Sequence, residues 1–357
     1  MAGTEFLTGN ALTVKHWSAM LMKEAQNNSY FHKFVGKEKT NVIQVDTDLI
    51  KDVGDAITFG LKMKLVGSGR TGDEKLEGFE EALVFYDFKT TLYLRANSVV
   101  SAGKMSLRRP AIKIKTEGKD SLGMWIAEKL DSDTIKVLSG LAIADVSKAA
   151  VAPSTNRTFY GGQTIAGVVS SVANDAAVTS TTNHLFGTAV IELLKRKAQL
   201  ASPKIMPIIP KSGKYKGKKM YVAMIHPLQT KSLRLDTRWI ASQQQANVRG
   251  EENPIFSGAE GIWDNVIIHE VEGIEYRASG GAFEAADVCG ANEARGLFCG
   301  AQAAVHAYGQ YAAWYEKMFE YGRVPGMATD LIIGVDKTRY NLEDFGVIIF
   351  DNAVIPD

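Results

Sequence analysis

Cysteine is nearly missing. Cys289 and Cys299 are the only two in 357 residues, and they form no CxxC pair. That excludes a disulfide framework and a zinc ribbon, and it fits synthesis in a reducing cytoplasm. Both thiols are expected as reduced core residues. An excess of either charge is missing too. Lys and Arg total 41, Asp and Glu total 40, and the net charge is +1. A chain dedicated to nucleic acid would be far more basic. The one basic cluster, Lys211 to Lys219, reads as a solvated loop. Any phosphate contact there would be non-specific and steeply salt-dependent.

Long apolar runs are scarce. The longest uncharged stretch, Gly296 to Tyr315, carries Gln302, His306 and Gln310, so it reads as buried sheet and turn rather than a membrane span. The N-terminus has no basic region followed by an apolar core, so no secretion signal is expected. A soluble chain without a membrane association is expected.

Catalytic constellations are missing as well. The six histidines form no HExxH pair and no cluster at metal-ligand spacing, and no GxSxG elbow exists. Glu80-Glu81 and Glu251-Glu252 read as solvated or salt-bridged faces. Two short motifs imitate sites. Gly67-x-Gly69-x-x-Gly72 spells a dinucleotide fingerprint, with Asp87 about 20 residues on. However, the strand before it alternates where a dinucleotide-binding strand would be continuously apolar, and Gly78 interrupts the only stretch able to open a helix. Asp344-Phe345-Gly346 spells a kinase triplet without the catalytic loop a kinase requires; it reads as a turn between strands. No catalytic residue, cofactor or metal is expected.

What is present is organised around Asp55 to Val99. Ile57, Phe59, Leu61, Met63 and Leu65 alternate with Thr58, Gly60, Lys62 and Lys64, the period of a strand with one apolar face. A glycine-dense polar tip follows from Gly67 to Asp73, and the chain returns through Leu83 to Leu94, rich in β-formers. Two such strands make a ribbon reaching on the order of 35–40 Å, and an isolated ribbon is marginal in water. The returning arm is apolar on both sides, with Val84, Tyr86 and Phe88 on one and Leu83, Phe85 and Tyr93 on the other. One side can lie on the chain's own body; the second needs another molecule, expected to be a copy of the same chain.

Elsewhere, Leu12 to Met22 predicts a short amphipathic helix broken at Asn27-Asn28-Ser29. Val42 to Val45 predicts a strand, and the whole lead-in reads as a docking arm. Asp120-Ser121 offers a cap for a helix of about six turns to Leu141. Ala149 to Asn183 predicts short strands and loops. Thr182 or Asn183 is expected to cap a helix over Phe186 to Leu200, with Leu200 on its apolar face. Met220 to Ile225 predicts a buried strand, followed by a helix begun by His226-Pro227 and running through Trp239. Strands are expected at Val266 to Ile268 and within Leu297 to Tyr308. A helix is expected over Tyr311 to Tyr321, then three short strands. The class is α+β.

Several segments together resemble tailed-bacteriophage major capsid proteins. They are GSGRTGDEKLEGFEEAL from Gly67 to Leu83; Tyr221 to Pro227 with Leu233 and Trp239; Asn253 to Gly258; Val266 to Glu270; and Phe319 to Gly322, Ile333 to Lys337 and Asp344 to Val347. The match runs with gaps over most of Asp55 to Asp351 and is loose in the first 50 residues and from Ala149 to Asn183. The resemblance implies the tailed-phage major capsid fold, which encapsulins share. It has an N-terminal arm (1–53), an extended β-hairpin loop (54–107), a peripheral domain with a long spine helix (108–202), an axial domain (203–310) and a return to the peripheral domain (311–357).

It also implies a structural protein of the virion that assembles into hexamers and pentamers of an icosahedral head around double-stranded DNA and is made in the host bacterial cytoplasm. An encapsulin-type cargo shell is the alternative, and a nucleotide-binding α/β enzyme a distant third. Inter-subunit contacts are expected at Gly67, Arg70, Asp73, Glu77, Phe79, Phe85 and Tyr86 in the loop and at Trp17 in the arm. Since no long charged segment precedes the arm, a scaffold, if used, is expected as a separate protein. A portal, and in some relatives decoration proteins, are the further partners.

Overall fold

A computed structural model describes residues 11–50, 54–62, 65, 67–103, 114–165, 168–180, 182–210, 216–245, 260–284 and 287–356. Arg108 to Pro110, which the sequence suggests close the ribbon's excursion, and the Asn253 to Gly258 segment lie outside them. Helix α1 (Ala11–Asn28) leads to strands β1 (Val35–Gly36) and β2 (Ile43–Asp46). Next come β3 (Ala56–Lys62), β4 (Phe85–Thr91), β5 (Tyr93–Val100) and the long helix α2 (Ile114–Leu138). Short strands β6 (Thr158–Tyr160), β7 (Gln163–Ile165) and β8 (Val168–Ser170) precede helix α3 (Thr188–Leu200). Strand β9 (Tyr221–Ile225) runs into α4 (Pro227–Leu235) and α5 (Thr237–Gln245). The chain continues through β10 (Gly261–Trp263), β11 (Val266–Glu270), β12 (Tyr276–Arg277), β13 (Ala282–Glu284), β14 (Asp287–Val288) and β15 (Glu293–Cys299). It closes with β16 (Ala304–Phe319), β17 (Val324–Lys337), β18 (Arg339–Tyr340), β19 (Glu343–Asp344) and β20 (Val347–Ala353).

Two sheets carry the fold. The first has the order β1-β2-β16-β17-β5, and the second β10-β11-β9-β15-β20-β6 with β12 also paired to β15. Strands β9, β15 and β20 are buried along their whole length, as a central strand covered on both faces must be. Tyr221, Ile225, Phe298 and Phe350 pack with Ile191 and Leu194 of α3 in one core. A second core sets Leu122, Ile126 and Leu130 of α2 and Leu21 of α1 against Trp314, Leu331 and Ile333 of the first sheet. A third joins the sheets, bringing Ile135 and Leu138 of α2 together with Ile43, Met224, Leu297 and Ile349.

Several expectations are corrected. Helix α2 is already helical at Ile114, six residues ahead of Asp120, so Ser121 is no cap. Gly118 and Gly123 are accommodated because they are contact points: a Cβ on Gly118 would come 3.0 Å from the Met327 methyl, and one on Gly123 3.4 Å from Glu24. Helix α3 begins at Thr188, and its first turn is satisfied from a distance: Asp236 accepts from the Thr188 N–H at 2.8 Å and its hydroxyl at 2.7 Å. Leu200 is 82% exposed, not buried. The helix through Trp239 is two helices, broken at Asp236. The returning arm of the ribbon is likewise two strands, because the chain changes partner at Leu92: β4 pairs with β3, and β5 pairs with β17.

The largest correction is Tyr311 to Tyr321, which is strand β16 and its turn rather than a helix. Register shifts between Tyr308 and Gln310 and between Gln310 and Ala313 break the alternation, and such bulges hide a strand's period of two. Of the closing strands, β17 joins the first sheet and β20 the second, so they do not return together to one sheet.

Candidate assembly surfaces

The ribbon is the most exposed part of the described chain. β3 and β4 pair in register from Ala56 opposite Thr91 to Lys62 opposite Phe85, seven residues or about 23 Å of paired strand. That is shorter than the sequence implied, because Leu83 and Val84 lie in the loop and Leu92 ends β4. Its base is held firmly. Phe88 packs against Phe59 at 6.4 Å and edge-on to Tyr340 at 6.3 Å. Thr90 is buried, the Leu92 N–H donates to the Asp55 carbonyl at 2.8 Å, and a Cβ on Gly334 would lie 2.6 Å from the Thr91 carbonyl oxygen.

Beyond the base the packing stops. Leu65, Leu76, Phe79, Leu83, Val84 and Phe85 are all exposed, Leu76 at 70%, Phe79 at 65% and Phe85 at 64%. Tyr86 is half-buried. Among the described residues, the loop's side chains contact mainly one another. The Arg70 guanidinium lies 3.7 Å over the Phe79 ring and 3.3 Å from Glu74. The Gly67 N–H donates to Glu81 at 2.8 Å and the Gly78 N–H to Glu80 at 2.9 Å. Gly69, Gly72 and Gly78 have φ of +70°, +64° and +86°, a region that glycine enters without penalty. No helix opens at Gly72, so the dinucleotide fingerprint lacks the helix N-terminus that would hold a pyrophosphate.

Of the loop residues singled out from sequence, Gly67, Arg70, Asp73, Glu77, Phe79 and Phe85 thus share one exposed projection. Trp17 lies in α1, away in sequence, and its side chain is outside the described residues. Lys211 to Tyr215 are also outside them, while Lys216, Lys218 and Lys219 are exposed.

A second projection escaped the sequence reading. From Tyr315 the β16–β17 hairpin leaves the body, and residues 315–321 are exposed on both faces, including Tyr315, Met318, Phe319 and Tyr321. Its turn has positive φ at Glu320, Tyr321 and Gly322. Its aromatic residues are the signal the sequence offers, and the bulges in β16 give them a helix-like spacing.

Cys289 and Cys299 are both free and buried. The Asp344-Phe345-Gly346 triplet runs from the last residue of β19 into the link to β20, and the buried Asp344 carboxylate pairs with Lys337 at 3.1 Å and Arg339 at 3.3 Å. These groups hold a turn together.

The chain matches the phage capsid protein family over residues 5–355. It is 30% identical to a major capsid protein of Pseudomonas phage KPP25, covering 96% of this chain and 95% of that one. Among solved structures it is similar to the capsid of Ralstonia phage GP4, at 29% identity and a TM-score of 0.75 over 92% of both chains. The capsid of cyanophage Pam1 shares the fold at 23% identity and a TM-score of 0.72, over 92% of this chain and 93% of that one. The match over nearly the whole length shows that the chain belongs to the phage capsid protein family.

Proposed function

We propose that this phage major capsid protein closes into an icosahedral head of hexamers and pentamers around double-stranded DNA, with the extended loop gripping a neighbouring copy. The exposed apolar flank from Leu76 to Phe85 carries the reading. Covering a Leu or Phe side chain fully is worth about 1.5–3 kcal/mol, and several sit on one projection. A chain that meets several neighbours at once multiplies modest contacts by avidity. The contact residues are Gly67, Arg70, Asp73, Glu77, Phe79, Phe85 and Tyr86, joined by Trp17 of the arm and by the tip of the β16–β17 hairpin.

In this reading residues 1–53 are the docking arm and 54–107 the extended loop. Helix α2 is the spine of the peripheral unit, and the second sheet is the frame of the axial unit. A separate scaffold guides closure, a portal occupies one vertex, and decoration proteins are optional. Packaged DNA would be contacted without sequence preference. A near-neutral net charge suits a lining that must not seize its contents.

Electron microscopy of the purified chain, with and without a scaffold, tests the reading. Closed shells are expected. Monomers or small rings under every assembly condition would overturn it, and shells filled with protein cargo instead of nucleic acid would overturn the DNA assignment.

A further inference from the structure

Remote from the loop, three side chains with metal-binding chemistry converge inside the second sheet's margin. Asp175 opens the short turn Asp175–Ala177, Cys289 follows β14, and Glu293 begins β15. One donor atom from each lies within 4.8 Å of the others, and all three residues are buried. They come from segments held together independently of any ion. The Gly290 N–H donates to the Asp175 carbonyl at 3.1 Å, and a Cβ on Gly290 would come within 2.6 Å of the Ala176 and Val178 carbonyl oxygens. The backbone therefore closes tightly around the cluster.

Charge is unbalanced there. Arg295 binds Asp351 at 2.7 and 2.9 Å and the Ser139 carbonyl at 3.0 Å, and stands 4.0 Å from Asp175. One guanidinium thus serves two carboxylates, and among the described residues no cation pairs with the third, Glu293. Glu293 is fully buried. Its Oε1 accepts the Ala291 N–H at 3.4 Å, while its Oε2 meets no donor. A buried carboxylate in that state is costly. Asp175 faces Glu293, but two carboxylates bond only through a proton held between them.

We propose that Asp175, Cys289 and Glu293 form a structural divalent-cation site, and that zinc is the ion its donors fit best. A thiolate with two carboxylates is a borderline-soft set, which magnesium and calcium do not select. Tetrahedral zinc with bonds of about 2.0–2.3 Å requires donors about 3.3–3.8 Å apart, so the triangle closes on the ion with about an ångström of side-chain movement. The ion would supply the charge that Arg295 cannot and would pin the 175–177 turn to the second sheet.

The full-length chain is purified from zinc-supplemented medium, dialysed, and assayed for metal by mass spectrometry. A second portion is stripped and reloaded with cobalt. About one zinc per chain is expected, with a thiolate-to-cobalt charge-transfer band in the near ultraviolet. Cys289→Ala should abolish the band and Glu293→Gln should lower bound zinc at least tenfold, whereas Cys299→Ala should leave both intact. A soluble, unmodified chain that holds under a tenth of an equivalent of zinc and shows no cobalt band overturns the proposal and leaves a shared proton as the balancing charge. Retention of the band in Cys289→Ala overturns it as well. The reading on the unmodified chain decides the matter if a variant fails to fold.

Discussion

Asp133 ties the long helix to the first sheet through one buried carboxylate. It accepts from Arg95 Nη2 at 2.6 Å and Nε at 3.2 Å, and from the Tyr93 hydroxyl at 3.0 Å. The two side chains of the ion pair are 8% and 2% exposed. Removing one partner of such a pair strands the other, at about 3–5 kcal/mol. Asp145, 3.2 Å from Arg95 and 46% exposed, remains to take part of that charge. Asp133→Ala should therefore cost about 3 kcal/mol, read as a lowered denaturation midpoint; a loss under about 1 kcal/mol would refute the pair's role. His306 sets a pH dependence. The Thr134 hydroxyl donates to the Leu130 carbonyl at 2.7 Å, so its oxygen is left to accept from His306 Nε2 at 2.9 Å. Burial holds the imidazole at about 4 against an ordinary 6.5. The unfolded chain then takes the proton first. Stability present above pH 6.5 is lost as pH falls towards 4, by about 3 kcal/mol at most. His306→Gln should lose about 2–3 kcal/mol less than the unmodified chain between pH 7 and 4.5; parallel losses would show that other groups govern acid sensitivity.

The extended loop separates folding from assembly at the scale of an element. Its tip contributes no side chain to the three main cores, so deleting Gly69 to Gly78 should shift the subunit's melting temperature by less than about 3 °C while abolishing closed particles. Normal particles from the deletion variant would remove the loop from the assembly mechanism. The loop was legible in sequence because alternation, a glycine-rich tip and returning β-formers are local signals. The buried strand β9 and its helix start at His226-Pro227 were legible for the same reason. What escaped was set by distant contacts. Gly118 and Gly123 look like helix breakers until Met327 and Glu24 are placed beside them. The cap of α3 is Asp236, 48 residues beyond Thr188. The bulges in β16 disguised the second projection as a helix, and the change of partner at Leu92 cannot be read from a continuous run of β-formers. The order of motifs along the chain points to the capsid family, but only the hairpin's geometry brings Tyr315 to Tyr321 into the candidate surface.

A subunit that passes load between neighbours must keep its two sheets in fixed relation, and the third core is what couples them. Leu138, fully buried at the end of α2, sits there with Ile43 from the first sheet's β2 and with Met224 and Leu297 from the second sheet's β9 and β15. The extended loop joins the first sheet where β4 runs on into β5, which pairs with β17; in the proposed reading the axial contacts belong to the second sheet. If the seam yielded first, the two halves would swing and shell curvature would be undefined. Leu138→Ala leaves a cavity worth about 2–5 kcal/mol, and because both sheets line it, neither can relax without the other. Hydrogen exchange should therefore quicken together in β2 and β16 on one side and in β9 and β15 on the other. For contrast, Leu194→Ala in α3, whose side chain packs only in the second sheet's core, should quicken exchange chiefly in β9, β15 and β20. Exchange confined to one sheet in Leu138→Ala would show that the sheets open independently, and that curvature must be fixed by contacts between subunits instead of within them.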